Sequence, residues 1–224
     1  PHLTRKNGPA VPRIHEPPKD TKLNDYRELV LSHQIACGNL GKREEVQKLL
    51  RKLAQLPIGQ ALKIGFLRSL MRARYAVEPI GHYGLAKEKY THFTSPIRRY
   101  SDLVVHRVLF DGVRYSGADL KQAADHLSDT ERTSADAERD SRDVKLYAYL
   151  EAQMASENRV VYDALVTDVR NFGFFVDVPD LGMSGLVHLS SIQDDFMDFD
   201  PVRGRLIGRQ TSRRVQLGDT VRVV

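Results

Sequence analysis

Apolar positions recur at helical spacing through roughly the first two thirds of the chain and at strand spacing through the rest. Leu23–Leu31 and Arg43–Leu56 have helical periods, and in the second Leu49, Leu50, Leu53 and Leu56 form one stripe. Gly38 and Gly41 punctuate the gap between them. Pro57 opens a further predicted helix, Gln60–Tyr75, with Leu62, Phe66, Leu67 and Leu70 on its buried face and Lys63, Arg68, Arg72 and Arg74 on the other. Ahead of these, Pro9, Pro12, Pro17 and Pro18 prevent a continuous helix, so Pro1–Lys22 reads as an extended connector. Its first residues, Pro1–Lys6, look like the end of a helix already under way.

Glu78–Thr94 has little periodicity and displays His82, His92 and three aromatic rings, as a loop-rich surface does. A helix start follows, with Ser95 as N-cap and Pro96 at the first helical position. Ile97, Tyr100, Val104 and Val108 fall on its inner side. From Asp119 to about Ser156 a single helical pattern runs without proline or glycine. Its seam of Leu120, Leu127, Ser134, Ser141 and Ala148 is rich in small side chains, which predicts close packing across a domain.

Beyond Asn158 the period becomes that of strands: Val160–Val169, Gly173–Val178, Leu186–Leu189 and Val221–Val224, where the chain stops in mid-strand. Pro179–Gly185 is a turn cluster and Ser191–Arg209 reads as irregular. Short strands at close spacing predict a small barrel. The fold class is therefore α+β, with a mainly helical domain over residues 1–156 and a β-barrel over 157–224.

Composition narrows the setting. With 41% hydrophobic and 28% charged residues the chain has the make-up of a soluble folded protein. No apolar run approaches the roughly 20 residues of a membrane span, so no membrane association is expected. No signal peptide opens the sequence. A single cysteine, Cys37, rules out an internal disulfide and fits a reducing compartment, hence a cytoplasmic location. The net charge of +5 is uneven: residues 1–156 carry 26 Lys and Arg against 19 Asp and Glu, and residues 157–224 carry 8 against 10. Such a surplus attracts nucleic acid or anionic lipid without saying which.

The densest chemistry lies between Tyr90 and Arg107. Placed in a first helical turn, Arg98 and Arg99 sit beside free backbone N–H groups that already favour an anion, and a guanidinium adds a two-pronged donor for phosphate oxygens. Cations there oppose the helix dipole, which suggests a use beyond helix stability. Arg98, Asp102 and His106 share one face, so Asp102 can orient either basic neighbour. An amphipathic helix with solvated or paired arginines accounts for the same spacing, and nothing in it identifies the anion.

The uninterrupted run from Gly81-His-Tyr-Gly-Leu-Ala86 through His92-Phe-Thr-Ser-Pro-Ile-Arg-Arg-Tyr-Ser-Asp-Leu-Val-Val-His-Arg107 resembles the catalytic-domain signature of the RNase II/RNase R family, and the RNase R branch more closely. Weaker likeness extends back to Arg13-Ile-His-Glu16, with Pro12 where the family usually has tyrosine, and forward to Ala137-Glu-Arg-Asp140. The resemblance implies the C-terminal portion of the RNB catalytic domain, and 3′-to-5′ hydrolysis of single-stranded RNA to nucleoside 5′-monophosphates. It implies that Arg98 contacts the terminal phosphates and that Glu138 lies close by, with Arg99, Tyr100 and His92 at the RNA. From spacing alone, Glu138 is equally a surface residue paired with Arg142.

The same resemblance implies Mg2+ held by an aspartate cluster, roughly D-x5-D-x-D-D, in the remaining N-terminal part of the enzyme, together with cold-shock-type domains. No stretch of this sequence has that pattern. Asp194, Asp195, Asp198 and Asp200 depart from it and read as a solvated acidic loop, so no metal ligand is assigned. The chain then looks like a fragment, inactive alone.

Val161–Val178 followed by Gly185-Leu-Val-His-Leu189 resembles the S1 domain, a five-stranded OB-fold barrel whose last strand is missing here. That likeness puts Phe172, Phe175 and His188 on the RNA-binding face and Phe174 in the core. Arg213 and Arg214, in a late run with Arg203, Arg205, Arg209 and Arg222, could track a phosphate backbone. The alternative to an exoribonuclease is a non-catalytic RNA-binding protein that keeps the RNB and S1 architecture. A third reading has Arg98 and Arg99 holding acidic protein partners.

Overall fold

The structure, a computed structural model, describes residues 11–156, 159–201 and 203–224. Pro9 and the helix end expected at Pro1–Lys6 lie outside the described residues. The chain divides into two compact units. The first comprises the described residues up to Pro18 with Met71–Lys145, and the second Lys19–Leu70 with Leu146–Val224.

In the first unit, strand β1 (Arg13–Ile14) pairs antiparallel with β2 (Arg74–Tyr75), Arg13 opposite Tyr75 and Ile14 opposite Arg74. The helix expected over Gln60–Tyr75 therefore ends early, at Ser69. Leu70 is already extended, and Tyr75 takes a ladder position with its ring buried. Helix α4 (Tyr100–Phe110) and the start of α5 (Gly117–Met154) supply the rest of this core: Val11, Tyr75, Val104, Leu120 and Ala124, with Tyr115 and Leu127 against them. Helix α5 is divided between the units after Lys145. Of its seam, Leu120 is buried and Leu127 packs against the same core; Ser134, Ser141 and Ala148 are exposed, so the predicted close packing stops within two turns.

The loop after β2 is hung on His15, which is buried. Its backbone N–H donates to the Gly81 carbonyl at 3.0 Å and its carbonyl accepts from Tyr83 at 2.9 Å. Its Nδ1 accepts from the Gly84 N–H at 2.9 Å, which leaves Nε2–H to donate to the Met71 carbonyl at 2.7 Å. Both ring nitrogens are thus used, fixing the neutral tautomer.

The second unit holds α1 (Asp20–Ser32), α2 (Arg43–Leu53) and α3 (Gly59–Ser69). The connector expected to run to Lys22 thus gives way to helix from Asp20. Leu23, Tyr26, Val30, Leu49, Leu62 and Phe66 interlock among the three, and Leu50, Leu56 and Leu70 pack at the margin. Leu67 is 65% exposed, because it lies a helical step away from the stripe that Leu62 and Phe66 define. Leu217 is buried in this same core and Leu165 packs on it, so the helices and the strands share apolar surface.

Four strands, β3 (Tyr162–Arg170), β4 (Gly173–Val178), β5 (Met183–His188) and β9 (Thr220–Val223), form one antiparallel sheet in the order β5-β4-β3-β9. Among the described residues nothing pairs with the outer edges of β5 and β9, so the sheet is open. A bulge between Val166 and Asp168 bends β3. Gly173 is tightly required: a Cβ there would lie 2.3 Å from the Val187 carbonyl oxygen. The second sheet, β6-β7-β8, corrects the irregular reading of Ser191–Arg209, since β6 (Met197–Asp200) and β7 (Arg205–Gly208) form a hairpin continued by β8 (Arg214–Gln216). Met197 and Phe199 face inward there while Asp198 and Asp200 carry ion pairs, an alternation too short and too acidic to read as a strand. Ala164, Val166, Phe174, Val176, Leu206 and Val215 make the core between the sheets.

Candidate nucleic-acid interface

The helix predicted to start at Ser95 starts at Tyr100 instead. Residues 95–99 form a turn in which the Ser95 carbonyl accepts from the N–H groups of Arg98 (3.2 Å) and Arg99 (3.0 Å). The cause is Asp102, whose side chain is 0% exposed. Its Oδ2 accepts from the Ser95 N–H at 2.7 Å, Arg99 Nη2 at 2.9 Å and Arg99 Nε at 3.2 Å, and its Oδ1 from Ser101 Oγ at 3.1 Å. Burial pushes this carboxyl up, but the Ser95, Arg99 and Ser101 bonds outweigh it and hold the pKa below the usual aspartate value.

Arg99 is therefore drawn inward to Asp102, with Thr94 Oγ1 a further 3.4 Å contact. Arg98 is exposed and makes no ion pair among the described residues. The shared face of Arg98, Asp102 and His106 does not form: Asp102 takes Arg99, and His106 Nε2 donates to the Phe93 carbonyl at 2.8 Å. Ile97, expected inward, is fully exposed at the tip of the turn, and Tyr100 is half exposed beneath the Arg107 guanidinium, 5.8 Å from ring to Cζ. The inward positions are Ser101, Asp102, Val104 and Val105.

Beside the turn runs a chain of rings, His15–His82–Tyr90–His92–Tyr75, each meeting the next edge-on at 5.0–5.8 Å. His92 Nδ1 lies 2.8 Å from the Tyr75 hydroxyl, and Ser101 Oγ is 3.2 Å from that hydroxyl. Burial, then the charges of Arg99 and Arg13, pull His92 below the ordinary imidazole value, so it is neutral at neutral pH. Arg13 stacks 4.8 Å over Tyr75 and pairs with Glu131. Nothing in the spacing of the sequence marks Tyr75, Arg13 or Glu131; their meeting depends on pairing β1 with β2.

Glu138 is exposed on α5 and bonded to neither Arg98 nor Arg142; Arg142 instead lies 3.7 Å from Asp143.

On the barrel, β4 and β5 expose one side. Phe175 stands opposite Leu186 and Gly173 opposite His188, and Phe172 meets Phe175 edge-on at 6.3 Å. Phe172 is 42% exposed and Leu186 46%, while Phe174 points into the core. Leu186 joins this face through its register with Phe175. Strand alternation would have found it once the pairing was known. The His188 Nδ1 accepts from the Ser190 N–H at 3.2 Å, which turns the ring at the strand end.

The late arginines do not form a free row. Arg205 pairs with Asp200 and Arg209 with Asp198, while Arg213 lies 3.7 Å from Asp194. Arg214 is exposed without an ion pair among the described residues. The acidic group is correspondingly no solvated loop. Asp195 is buried and gathers the Thr211 hydroxyl and the N–H groups of Thr211 and Gln210, bonds that hold its pKa down at about 2. Among the described residues no three His, Cys, Asp or Glu side chains come together as a metal site. No helix among them is long and apolar enough to cross a membrane.

The family model for the RNB domain matches residues 1–114, half of the chain. The chain belongs to the RNB domain family. The model for the S1 RNA binding domain matches residues 158–224 of this RNB-family chain. Ribonuclease R of Aquifex aeolicus is 33% identical over 231 residues, covering 99% of the chain and 32% of that relative. The RNB chain thus spans about a third of the length of such curated relatives. Among solved structures, Mycoplasma genitalium RNase R in complex with ribose methylated single-stranded RNA superposes with a TM-score of 0.76 at 26% identity, over 99% of this chain and 36% of that one. Yeast Ssd1, a pseudonuclease, superposes with a TM-score of 0.77 at 24% identity, over 91% of this chain and 26% of that one. That last likeness shows the fold alone and does not favour the non-catalytic alternative.

Proposed function

We propose that the chain is part of a hydrolytic exoribonuclease that works 3′ to 5′ on single-stranded RNA and releases nucleoside 5′-monophosphates. The observation that carries this reading is the contrast between two adjacent arginines. Arg99 is committed to buried Asp102, while Arg98 is exposed, makes no ion pair among the described residues and is held on a short turn. A guanidinium so presented can grip phosphate oxygens and stabilise charge building on them. Glu138, exposed on α5, would accept a hydrogen bond from the terminal ribose. His92 would offer its free ring nitrogen and Tyr100 a ring edge to the strand. Phe172, Phe175 and His188, joined by Leu186, would hold incoming bases by stacking, which tolerates any sequence. Arg214, which makes no ion pair among the described residues, suits a phosphate contact better than Arg213, which lies near Asp194. The likeness to Ribonuclease R and to an RNA-bound relative supports the substrate class.

The reaction requires metal-held water, and the described residues do not fit a metal site. The Mg2+ would take its ligands from the remaining N-terminal part of the enzyme. The 224-residue chain alone would bind RNA without cutting it. Incubating it with end-labelled single-stranded RNA in magnesium checks this: a complex with intact RNA is expected. Released mononucleotides would overturn the inactivity, and absent binding would remove the RNA assignment.

A further inference from the structure

We infer that Asp102 is the positioning residue of the proposed phosphate site, its buried carboxylate fixing the Ser95–Arg99 turn and so setting where Arg98 presents its guanidinium. The inference rests on the RNA-gripping reading of Arg98. The turn has little else to hold it. Pro96 has no N–H to donate. Ile97 at the tip is fully exposed and Arg98 beside it is exposed, so neither is anchored by packing. The turn's backbone bonds are few: the Ser95 carbonyl accepts from Arg98 and Arg99, and the Arg99 carbonyl from the Asp102 N–H at 3.1 Å.

What remains is the pair of ends. The Ser95 N–H and the Arg99 fork converge on the same oxygen, Oδ2 of Asp102, at 2.7 Å and 2.9–3.2 Å. The carboxylate staples the first residue of the turn to the last. Its own place is fixed in turn: it lies in the first turn of α4, it is buried, and Ser101 Oγ holds the other oxygen at 3.1 Å. Ser101 is also 3.2 Å from the Tyr75 hydroxyl, and Tyr75 bonds to His92, so the staple and the imidazole share one hydrogen-bonded framework. The two arginines thus have different work. Arg99 neutralises Asp102 and closes the turn, leaving Arg98 as the positive charge directed to solvent. A carboxylate that accepts four bonds while buried is costly to build for a surface turn alone.

The test is a double-mutant cycle on the full chain, reading affinity for a fluorescein-labelled single-stranded RNA by anisotropy, with thermal melts in parallel. Asp102→Asn keeps the size but removes the negative charge that holds the Arg99 guanidinium, and turns an amide NH2 toward Ser101 Oγ in place of an acceptor oxygen. If Asp102 acts through Arg98, D102N weakens binding about tenfold when Arg98 is present and adds nothing in the Arg98→Ala background. Equal losses in both backgrounds, or none in either, overturn the inference. Should D102N fail to fold, Arg99→Lys replaces it, keeping a cation beside Asp102 but not the planar fork. Its loss, smaller, is again expected only with Arg98 present. An additive loss marks residue 99 as a phosphate ligand and overturns the staple. If R98A alone leaves affinity unchanged, the reading of Arg98 itself has failed, and the positioning role falls with it.

Discussion

Two neighbouring phenylalanines on β4 should fail in opposite ways when cut back to alanine. Phe174 is 4% exposed and packs among Val166, Val176 and Leu206, so Phe174→Ala leaves a cavity between the sheets. Large-to-small changes of this kind cost about 3–5 kcal/mol, which at this chain length lowers the melting temperature by roughly 6–20 °C. Phe175, one residue on, is on the other side of the strand with Leu186 across from it and Phe172 at 6.3 Å. Phe175→Ala removes a ring that would stack on a base, about 1–3 kcal/mol, or a roughly 5- to 150-fold rise in Kd for single-stranded RNA. It leaves the core intact, so its melt should move far less. Anisotropy titrations below each variant's melting transition, paired with circular-dichroism melts, read both quantities. The reasoning is refuted if F174A binds RNA poorly while fully folded, or if F175A binds like the parent chain.

Further outcomes follow from the turn and the hairpin. Arg98→Ala removes one phosphate contact, so the slope of log affinity against log salt should fall by about 0.7, with the melt unchanged; an unaltered slope counts against phosphate contact. Arg99→Ala strips a buried carboxylate of its partner and should cost about 3–5 kcal/mol of stability, visible as a lower urea midpoint. Acid acts through Asp195, whose folded pKa of about 2 lies below its ordinary value of 3.8. Its contribution is complete above that ordinary value and is lost as pH falls toward 2, so amides of Gln210 and Thr211 should stay protected from exchange at pH 5 and lose protection in that window. Asp195→Asn should remove that acid sensitivity. Gly208→Ala should disrupt the same loop at any pH, because a Cβ there would lie 2.2 Å from Asp195 Oδ2, and near-ultraviolet circular dichroism would register it.

Long, strongly periodic segments were legible in the sequence. The helix of α2 and the strand β4 appear close to where they were expected, because each buries one apolar face, although α2 ends at Leu53 and leaves Leu56 of the stripe beyond it. Shorter elements were not. The pair β1–β2 spans two residues on each side, too few for any period, and its strands are about 60 residues apart. The start of α4 misled because Ser-Pro is a sound capping signal that a side chain seven positions later overrides. Local propensity cannot register a carboxylate that folds back onto the residues before its own helix. The division of labour between Arg98 and Arg99 was hidden for the same reason. Chemically they are one residue repeated, and only the buried partner tells them apart. On the barrel, the burial of Phe174 and the exposure of Phe172 were readable from resemblance, whereas the pairing of the late arginines with the acids of β6 depends on hairpin register.

The apolar seat shared by Leu217, Leu165 and the three helices has a practical corollary for anyone dissecting this protein. Excising the barrel at its sequence boundary would peel it from α1–α3 and wet a surface it never shows in the intact unit. Gly218 marks how intimate that seam is: a Cβ there would fall 2.7 Å from Ile58 Cγ1. A barrel excised in this way would invite self-association, and carrying residues 19–70 along with it would give a better-behaved piece than the barrel by itself.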